Sequence, residues 1–125
     1  NNKYVTVSSI PELLGVTLTN IVVKRNSADD SITFTRADGA DVWMGHIQDC
    51  CESVDITDIN GDVEDLLGSP LLVAEVRTLE LPVDYGDAQA TFYELRTARG
   101  GVTIRWNGTS NGYYSTSVTI LERKS

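Results

Sequence analysis

Apolar and polar residues alternate with a period of two along most of the chain, and this pattern is typical of β-strands. In residues 31–36, for example, Ile32 and Phe34 fall on one face, whereas Thr33 and Thr35 fall on the other. Turn-forming residues recur roughly every ten positions, as short antiparallel strands require. Strands are predicted at residues 17–24, 31–36, 41–46, 53–59, 70–78, 89–97, 101–106 and 115–121.

Two short helices are predicted between these strands. Ser9 and Pro11 are start signals for the first helix, and Gly15 ends it. Asp62 is placed to cap the second helix, which extends through Leu67. Helices this short cannot cover a sheet. The predicted fold is therefore mainly β (α+β), a twisted antiparallel sheet that is partly rolled or sandwich-like, with the two short helices at its ends.

The length of 125 residues predicts a single domain, residues 1–125. Hydrophobic residues make up 41% of the chain, but no run approaches the roughly 18–20 apolar residues of a membrane span. No secretory signal peptide is apparent, so we expect no membrane association. The net charge of −8 disfavours duplex nucleic acid, whose binding depends on neutralised phosphates. A small anionic ligand stays compatible with this charge where a few arginines gather.

The two cysteines, Cys50 and Cys51, are sequence neighbours and cannot link distant parts of the fold. This favours a reducing, intracellular setting, and we expect at least one cysteine to be buried as a small hydrophobic residue. His46 nearby raises the alternatives of a zinc site and a cysteine nucleophile. Adjacent cysteines lack the ligand spacing of structural zinc sites, and no hydrolase signature surrounds them. The acidic stretch around Asp58 also fails the spacing of an EF-hand loop, so no metal is expected.

The most conspicuous segment for function is residues 105–115, predicted as a strand end followed by a polar, aromatic turn over residues 107–114. Its Asn-Gly pairs supply backbone that turns easily. Aromatic rings can stack on a planar ligand, amides and hydroxyls can read its edges, and an arginine can hold an anion. The candidate ligand-binding residues here are Arg105, Trp106, Asn107, Ser110, Asn111, Tyr113 and Tyr114. The alternative is a tight hairpin whose aromatics complete the core.

Two further segments are predicted to wall the same site. The turn at residues 99–101 contributes Arg99, which is close in sequence to Arg96 and Arg105. The corner at residues 48–52 contributes Gln48, and His46 comes just before it. Ordinary cross-strand ion pairs are the alternative explanation of the arginines.

Residues 44–52, 58–62, 85–87 and 102–115 together carry a family resemblance, most specifically through QDCCE at 48–52 and VTIRWNGTSNGYYS at 102–115. They resemble a small family of phage-encoded proteins. Small phage β-rich proteins of this kind include oligomeric sponges that sequester the cyclic nucleotide signals of bacterial antiviral systems, and the chain resembles one such anti-CBASS group. The resemblance implies a viral homo-oligomer that acts in the cytoplasm of the infected bacterium.

The function expected from these features is sequestration of a cyclic di- or oligonucleotide without chemistry and without a cofactor. Bases would stack on Tyr113, Tyr114 or Trp106, and Arg105 with Arg99 would meet the phosphates. The alternative is an acidic protein-interaction module that inhibits a host enzyme, which the net charge motivates. An enzyme that uses one of the cysteines with His46 ranks below both.

Overall fold

The chain folds into two antiparallel β-sheets. The computed structural model describes residues 5–26 and 29–124. Within these ranges the strands are β1 (Val5–Val7), β2 (Leu18–Lys24), β3 (Ser31–Arg36), β4 (Asp41–Gly45), β5 (Ser53–Asn60), β6 (Val73–Glu80), β7 (Asp87–Thr97), β8 (Gly100–Ser110) and β9 (Thr119–Arg123). One sheet has the order β1-β9-β4-β3-β2, and the other has the order β5-β8-β7-β6. The chain therefore crosses between the sheets after β4 and again after β8.

The two sheets share one hydrophobic core. Its fully buried side chains include Phe34 and Met44 from the five-stranded sheet, and Leu95, Ile104 and Trp106 from the four-stranded sheet. Residues two apart on a strand point to the same face, so each sheet turns one apolar face inward. The result is the sandwich-like, mainly β arrangement that the alternating pattern predicts.

The prediction of two short helices is wrong in kind. Both segments are single 3₁₀ turns, at Ile10–Leu13 and Val63–Leu66. Asp62 does cap the second turn, because its carboxylate accepts the Glu64 N–H at 3.0 Å. Leu14 and Leu67 follow with extended ψ angles of 127° and 144°, so each turn ends before an α-helix can form. No helical segment of the described residues is long and apolar enough to cross a membrane.

Several strand boundaries differ from those predicted. β1 was not predicted, and β6 and β7 both extend into the loop expected at residues 79–88. The strand predicted at residues 115–121 begins only at Thr119 and continues to Arg123 as β9, which pairs with β1 on one side and β4 on the other. The turn expected at residues 25–30 includes residues 27 and 28, which lie outside the described residues.

Strand β8 continues four residues past its predicted end at Trp106, so the prediction of a turn at Asn107 and Gly108 is wrong. Asn107 pairs with Asp55 on β5, and Gly108 pairs with Gln89 on β7. The glycine serves close packing instead of turning, because a Cβ at position 108 would lie 2.8 Å from Cβ of Thr116. The chain turns only after Ser110, where Gly112 has a φ of 97°.

Alanine at position 108 is expected to destabilise the protein by about 1–3 kcal/mol, because the added methyl group meets the backbone oxygen of Thr116 as well as its side chain. The matched control is Gly101→Ala on the same strand, where the added methyl group meets only the end of the flexible Arg96 side chain. Urea denaturation of both variants measures the difference. Equal destabilisation by the two changes would contradict the packing role of Gly108.

Candidate functional site

Trp106 belongs to the core and is not available to a ligand. Its side chain is 1% exposed, and its indole N–H donates to Sδ of Met44 at 3.3 Å on the opposite sheet. Val102, Ile104 and Trp106 alternate along β8 and are all buried. The prediction that a base stacks on Trp106 is therefore wrong, because its ring faces the other sheet.

The remaining predicted site residues do not form one pocket. Arg99 immediately precedes β8 and Ser110 ends it, so the 11 residues of the strand separate them by about 36 Å. One terminal nitrogen of Arg99 donates to the Leu67 carbonyl at 3.3 Å. Tyr113 and Tyr114 pack edge to face with ring centroids 4.9 Å apart, and Tyr113 is 82% exposed. Asn111 accepts the Tyr113 N–H through its side chain, which shapes the turn.

The corner at residues 46–52 is a polar network centred on Glu52, whose side chain is fully buried. Oε2 of Glu52 accepts from the His46 ring at 2.7 Å and from the Asp49 N–H at 2.8 Å, and Oε1 accepts the Cys50 N–H at 2.9 Å. The Gln48 amide donates to the Glu52 carbonyl at 2.6 Å. These bonds fix the crossing from β4 to β5, so His46 and Gln48 have a structural explanation.

The hydrogen bonds at this corner also set the charge of Glu52. Burial raises the pKa of the carboxyl group, but the His46 ring and the Asp49 and Cys50 N–H groups outweigh burial and lower it to about 2. The other ring nitrogen of His46 lies 2.7 Å from the Ser117 carbonyl oxygen. Both ring nitrogens of His46 therefore lie within hydrogen-bonding distance of an oxygen atom. The result is a buried hydrogen-bonded cluster that joins the end of β4, the start of β5 and the segment before β9.

Both cysteines are exposed and bonded to each other, so the expectation that one is buried is wrong. The reason is local, because the Glu52 carboxylate takes the buried place at this corner by accepting the Asp49 and Cys50 N–H groups, and the two cysteines just before it stay exposed. As predicted, the pair links no distant segments. Neither cysteine presents a free thiol in this structure.

The structure gathers unpaired positive charge elsewhere, on the outer face of the four-stranded sheet. Arg77, Phe92 and Arg105 lie directly opposite one another on β6, β7 and β8. The guanidinium of Arg77 lies over the Phe92 ring at 5.6 Å from its centroid, and that of Arg105 lies at 5.2 Å. Both distances fall within the range of cation–π attraction. We call these three residues the outer row.

Most donors of the outer row are free to bind a ligand. Within residues 5–26 and 29–124, Arg77 has no side-chain hydrogen bond, and neither arginine has an ion pair. Nε of Arg105 donates to Oδ1 of Asn107 at 2.8 Å, which leaves both terminal nitrogens of the guanidinium unoccupied. That bond also fixes the Asn107 amide, whose NH₂ group stays available. The face therefore offers two guanidiniums and an amide on a rigid sheet.

A depression of about 480 Å³ adjoins the outer row and extends to the edge of the sheet. Arg77, Phe92, Glu94 and Thr103 line it on the outer face, and Pro11 lies at its far side. Its volume is typical of small-molecule sites. Glu75 and Glu94 lie directly opposite each other beside the outer row. Their carboxylates can accept from hydroxyl or amino groups of a ligand, and they repel a bare anion away from the arginines.

The sequence analysis missed Arg77 and Phe92. The alternation of side chains along β7 was one available signal. Tyr93 and Leu95 fall on the buried face of the strand, whereas Phe92 falls on the opposite, mostly polar face. An aromatic residue on the solvent face of a strand is unusual enough to mark a candidate site. Arg77 had no comparable signal, since its place beside Phe92 follows from strand pairing alone.

A known protein family matches most of the chain. The model described as "Domain of unknown function (DUF7448)" matches residues 4–120 of the chain. Neither the curated proteins nor the solved structures give a significant match. The match covers the whole four-stranded sheet, the outer row and the Glu52 corner, and it ends within β9 of the five-stranded sheet.

Proposed function

We propose that this chain, which belongs to the family of the domain of unknown function DUF7448, binds a nucleotide-class anion at the outer row and performs no chemistry. The observation that carries the proposal is the pair of unpaired guanidiniums on either side of Phe92. In a chain of net charge −8, neither guanidinium has an ion pair among the described residues, so both are open to an anionic ligand. Guanidinium groups match phosphates through bidentate hydrogen bonds.

The arrangement favours a ligand with two anionic groups. Phe92 lies between Arg77 and Arg105, so the two guanidiniums are held apart instead of converging on one point. A ligand with a single phosphate engages one of them, whereas a ligand with two phosphates a few bonds apart engages both. The Asn107 amide beside Arg105 can hydrogen-bond to the edge of a base.

Among such ligands we propose a cyclic di- or oligonucleotide, which is the class that the resemblance to phage sponges implies. These compounds carry at least two phosphates and planar bases in one ring. In this proposal the protein sequesters an antiviral signal in the cytoplasm of the infected host. Tyr113 and Tyr114 lie beyond the end of β8 and are not required for the two phosphate contacts.

Titration calorimetry with a panel of cyclic dinucleotides and trinucleotides tests this function. We expect at least one member to bind, and a cyclic mononucleotide to bind at least about tenfold more weakly because it leaves one guanidinium unpaired. Arg105→Gln is expected to weaken binding by about tenfold or more, since hydrogen bonds to charged groups contribute about 1.5–3 kcal/mol each.

The matched control is Arg99→Gln, which removes an arginine from the far end of the same hairpin. It should leave the affinity unchanged. No detectable binding to any compound of the panel would contradict the proposed ligand class. Equal losses in the two variants would contradict the location, because they would show a general effect of net charge.

A further inference from the structure

The two edges of the four-stranded sheet differ in how they are protected. On β5 the register shifts between Ile56 and Asp58, and side chains cover the exposed backbone there. The Asp30 carboxylate accepts the Ile56 N–H at 2.9 Å, and Arg25 donates to the Ile56 carbonyl at 3.1 Å. Bulges and covering groups of this kind prevent an edge from pairing with another chain.

Among the residues that the structure describes, the opposite edge, β6, has neither a bulge nor side chains hydrogen-bonded to its outward backbone, and the 3₁₀ turn Ile10–Leu13 packs beside it without hydrogen-bonding to it. Its eight residues contain no proline and pair with β7 without a register shift. Within the described residues, the backbone of Val73–Glu80 has no hydrogen-bond partner other than β7. Leu72, Val76 and Leu79 are 60%, 44% and 55% exposed along it. A long, regular and partly apolar edge is suited to strand addition.

The pairing with β7 decides which backbone groups point outward from β6. The Leu81 N–H donates to the Ala88 carbonyl, so residue 81 and the residues two, four and six before it bond to β7. Ala74, Val76, Thr78 and Glu80 therefore direct their N–H and C=O groups to the free edge. Any partner strand must hydrogen-bond to these four residues.

We propose that β6 pairs antiparallel with β6 of a second copy of this chain, about a two-fold axis at Val76. Val76 then faces Val76 of the second copy in a hydrogen-bonded pair, and Ala74 faces Thr78. Between these pairs, Glu75 lies directly opposite Arg77 of the second copy, and the symmetry gives the contact twice. Opposite charges facing each other across an antiparallel pair stabilise it. In the next position Val73 faces Leu79, which covers exposed apolar surface.

The charges on β6 select this register against its neighbours. The pairing can shift only in steps of two residues, and each such step moves the two-fold axis by one residue. A shift of the pairing by one residue would misplace every hydrogen bond and turn side chains to opposite faces. Moving the axis to residue 75 sets Glu75 opposite its own copy, and moving it to residue 77 does the same for Arg77. Like charges directly opposite are destabilising.

Pairing also relieves a repulsion within the single chain. Glu75 lies opposite Glu94 on β7, and neither carboxylate has an ion pair among the described residues. Arg77 of the second copy brings a positive charge to Glu75 from its free side. The guanidinium has five donors, so one edge can meet Glu75 while the other stays available to a ligand. The two outer rows then lie on the same face of one continuous sheet.

Charge exchange tests the register directly. Glu75→Arg places an arginine opposite Arg77 of the second copy, and Arg77→Glu places a glutamate opposite Glu75 of the second copy, so each variant faces like charges at both symmetric contacts. By sedimentation velocity at about 1 to 100 μM, a range that includes moderate affinities, we expect the wild type to dimerise and each single variant to be monomeric. Mixing the two variants should restore a dimer, because every contact then joins opposite charges. The double variant Glu75→Arg/Arg77→Glu should dimerise for the same reason.

Dimer formation in the mixture excludes misfolding as the reason why the single variants are monomeric, because two unfolded variants could not form the dimer together. The control Glu64→Arg makes the same charge change on the exposed 3₁₀ turn and should leave the dimer intact. A monomeric wild type, or a mixture that stays monomeric, would overturn the proposal. A dimer that persists in both single variants would place the interface elsewhere and would overturn it equally. No nucleotide is present, so the result is independent of the ligand proposed above.

Discussion

Replacing Trp106 by alanine is expected to lower the free energy of unfolding by about 3–5 kcal/mol, the range for removing a large aromatic side chain from a core. The indole is 1% exposed and lies where the two sheets meet, with its N–H on Sδ of Met44. Removing it opens a cavity that β-strands held by backbone pairing cannot close. Urea denaturation followed by far-ultraviolet circular dichroism measures the change.

The matched control is Trp43→Ala on β4. Trp43 is only half-buried, because it lies on the face of its sheet opposite Val42 and Met44 and covers Gly45. Its removal should cost about 1 kcal/mol. A loss at Trp106 no larger than the loss at Trp43 would contradict the central place of Trp106 in the core. Unchanged stability combined with lost ligand binding would restore the stacking role first expected of it.

The fate of Trp106 shows what the sequence can and cannot predict here. The alternation of Val102, Ile104 and Trp106 marks one buried face, and the same reasoning located most strands correctly. Asn107 and Gly108 were taken for a turn because Asn-Gly is a common turn pair. Pairing on both sides of β8 overrides this local preference, since β5 and β7 each bond to the segment.

The candidate site was harder to predict than the fold. Arg105 and Asn107 were recognised from residue type, and the structure places them on an accessible face. Arg77 and Phe92 come from two other strands, and only the register of β6, β7 and β8 brings all three outer-row residues together. Arg99 looked close to Arg105 in sequence, but an extended strand converts six residues into a separation of about 20 Å.

The proposed ligand site and the proposed dimer interface share Arg77. Arg77 belongs to the outer row and also to the edge strand that we expect to pair with a second copy. A dimer places two outer rows on one surface, related by two-fold symmetry. A ligand with its own two-fold symmetry, such as a cyclic dinucleotide of one base, matches such a surface. The charge exchange at β6 and the Arg105→Gln titration separate the two ideas, since Arg105 lies two strands from the edge.

Replacing Glu52 by glutamine is expected to destabilise the protein strongly at neutral pH. The carboxylate accepts three hydrogen bonds, from the His46 ring and from the Asp49 and Cys50 N–H groups. An amide has one acceptor oxygen, so its NH₂ group must face a donor, and a buried donor is left without a partner. The crossing from β4 to β5 then loses the group around which it folds. Chemical denaturation at pH 7 measures the loss, and Glu64→Gln on the exposed 3₁₀ turn is the matched control.

The lowered pKa of Glu52 determines how its contribution to the stability changes with pH. The pKa of Glu52 is about 2 in the folded protein against an ordinary value of 4.5, so the unfolded chain binds more protons between these values. The stabilisation from Glu52 is therefore fully present above about pH 4.5 and is lost progressively as the pH falls toward 2. Glutamine does not titrate, so the difference in stability between wild type and Glu52→Gln should shrink across this window. A difference that stays constant from pH 7 down to pH 2.5 would show that the charge of Glu52 contributes nothing to the corner.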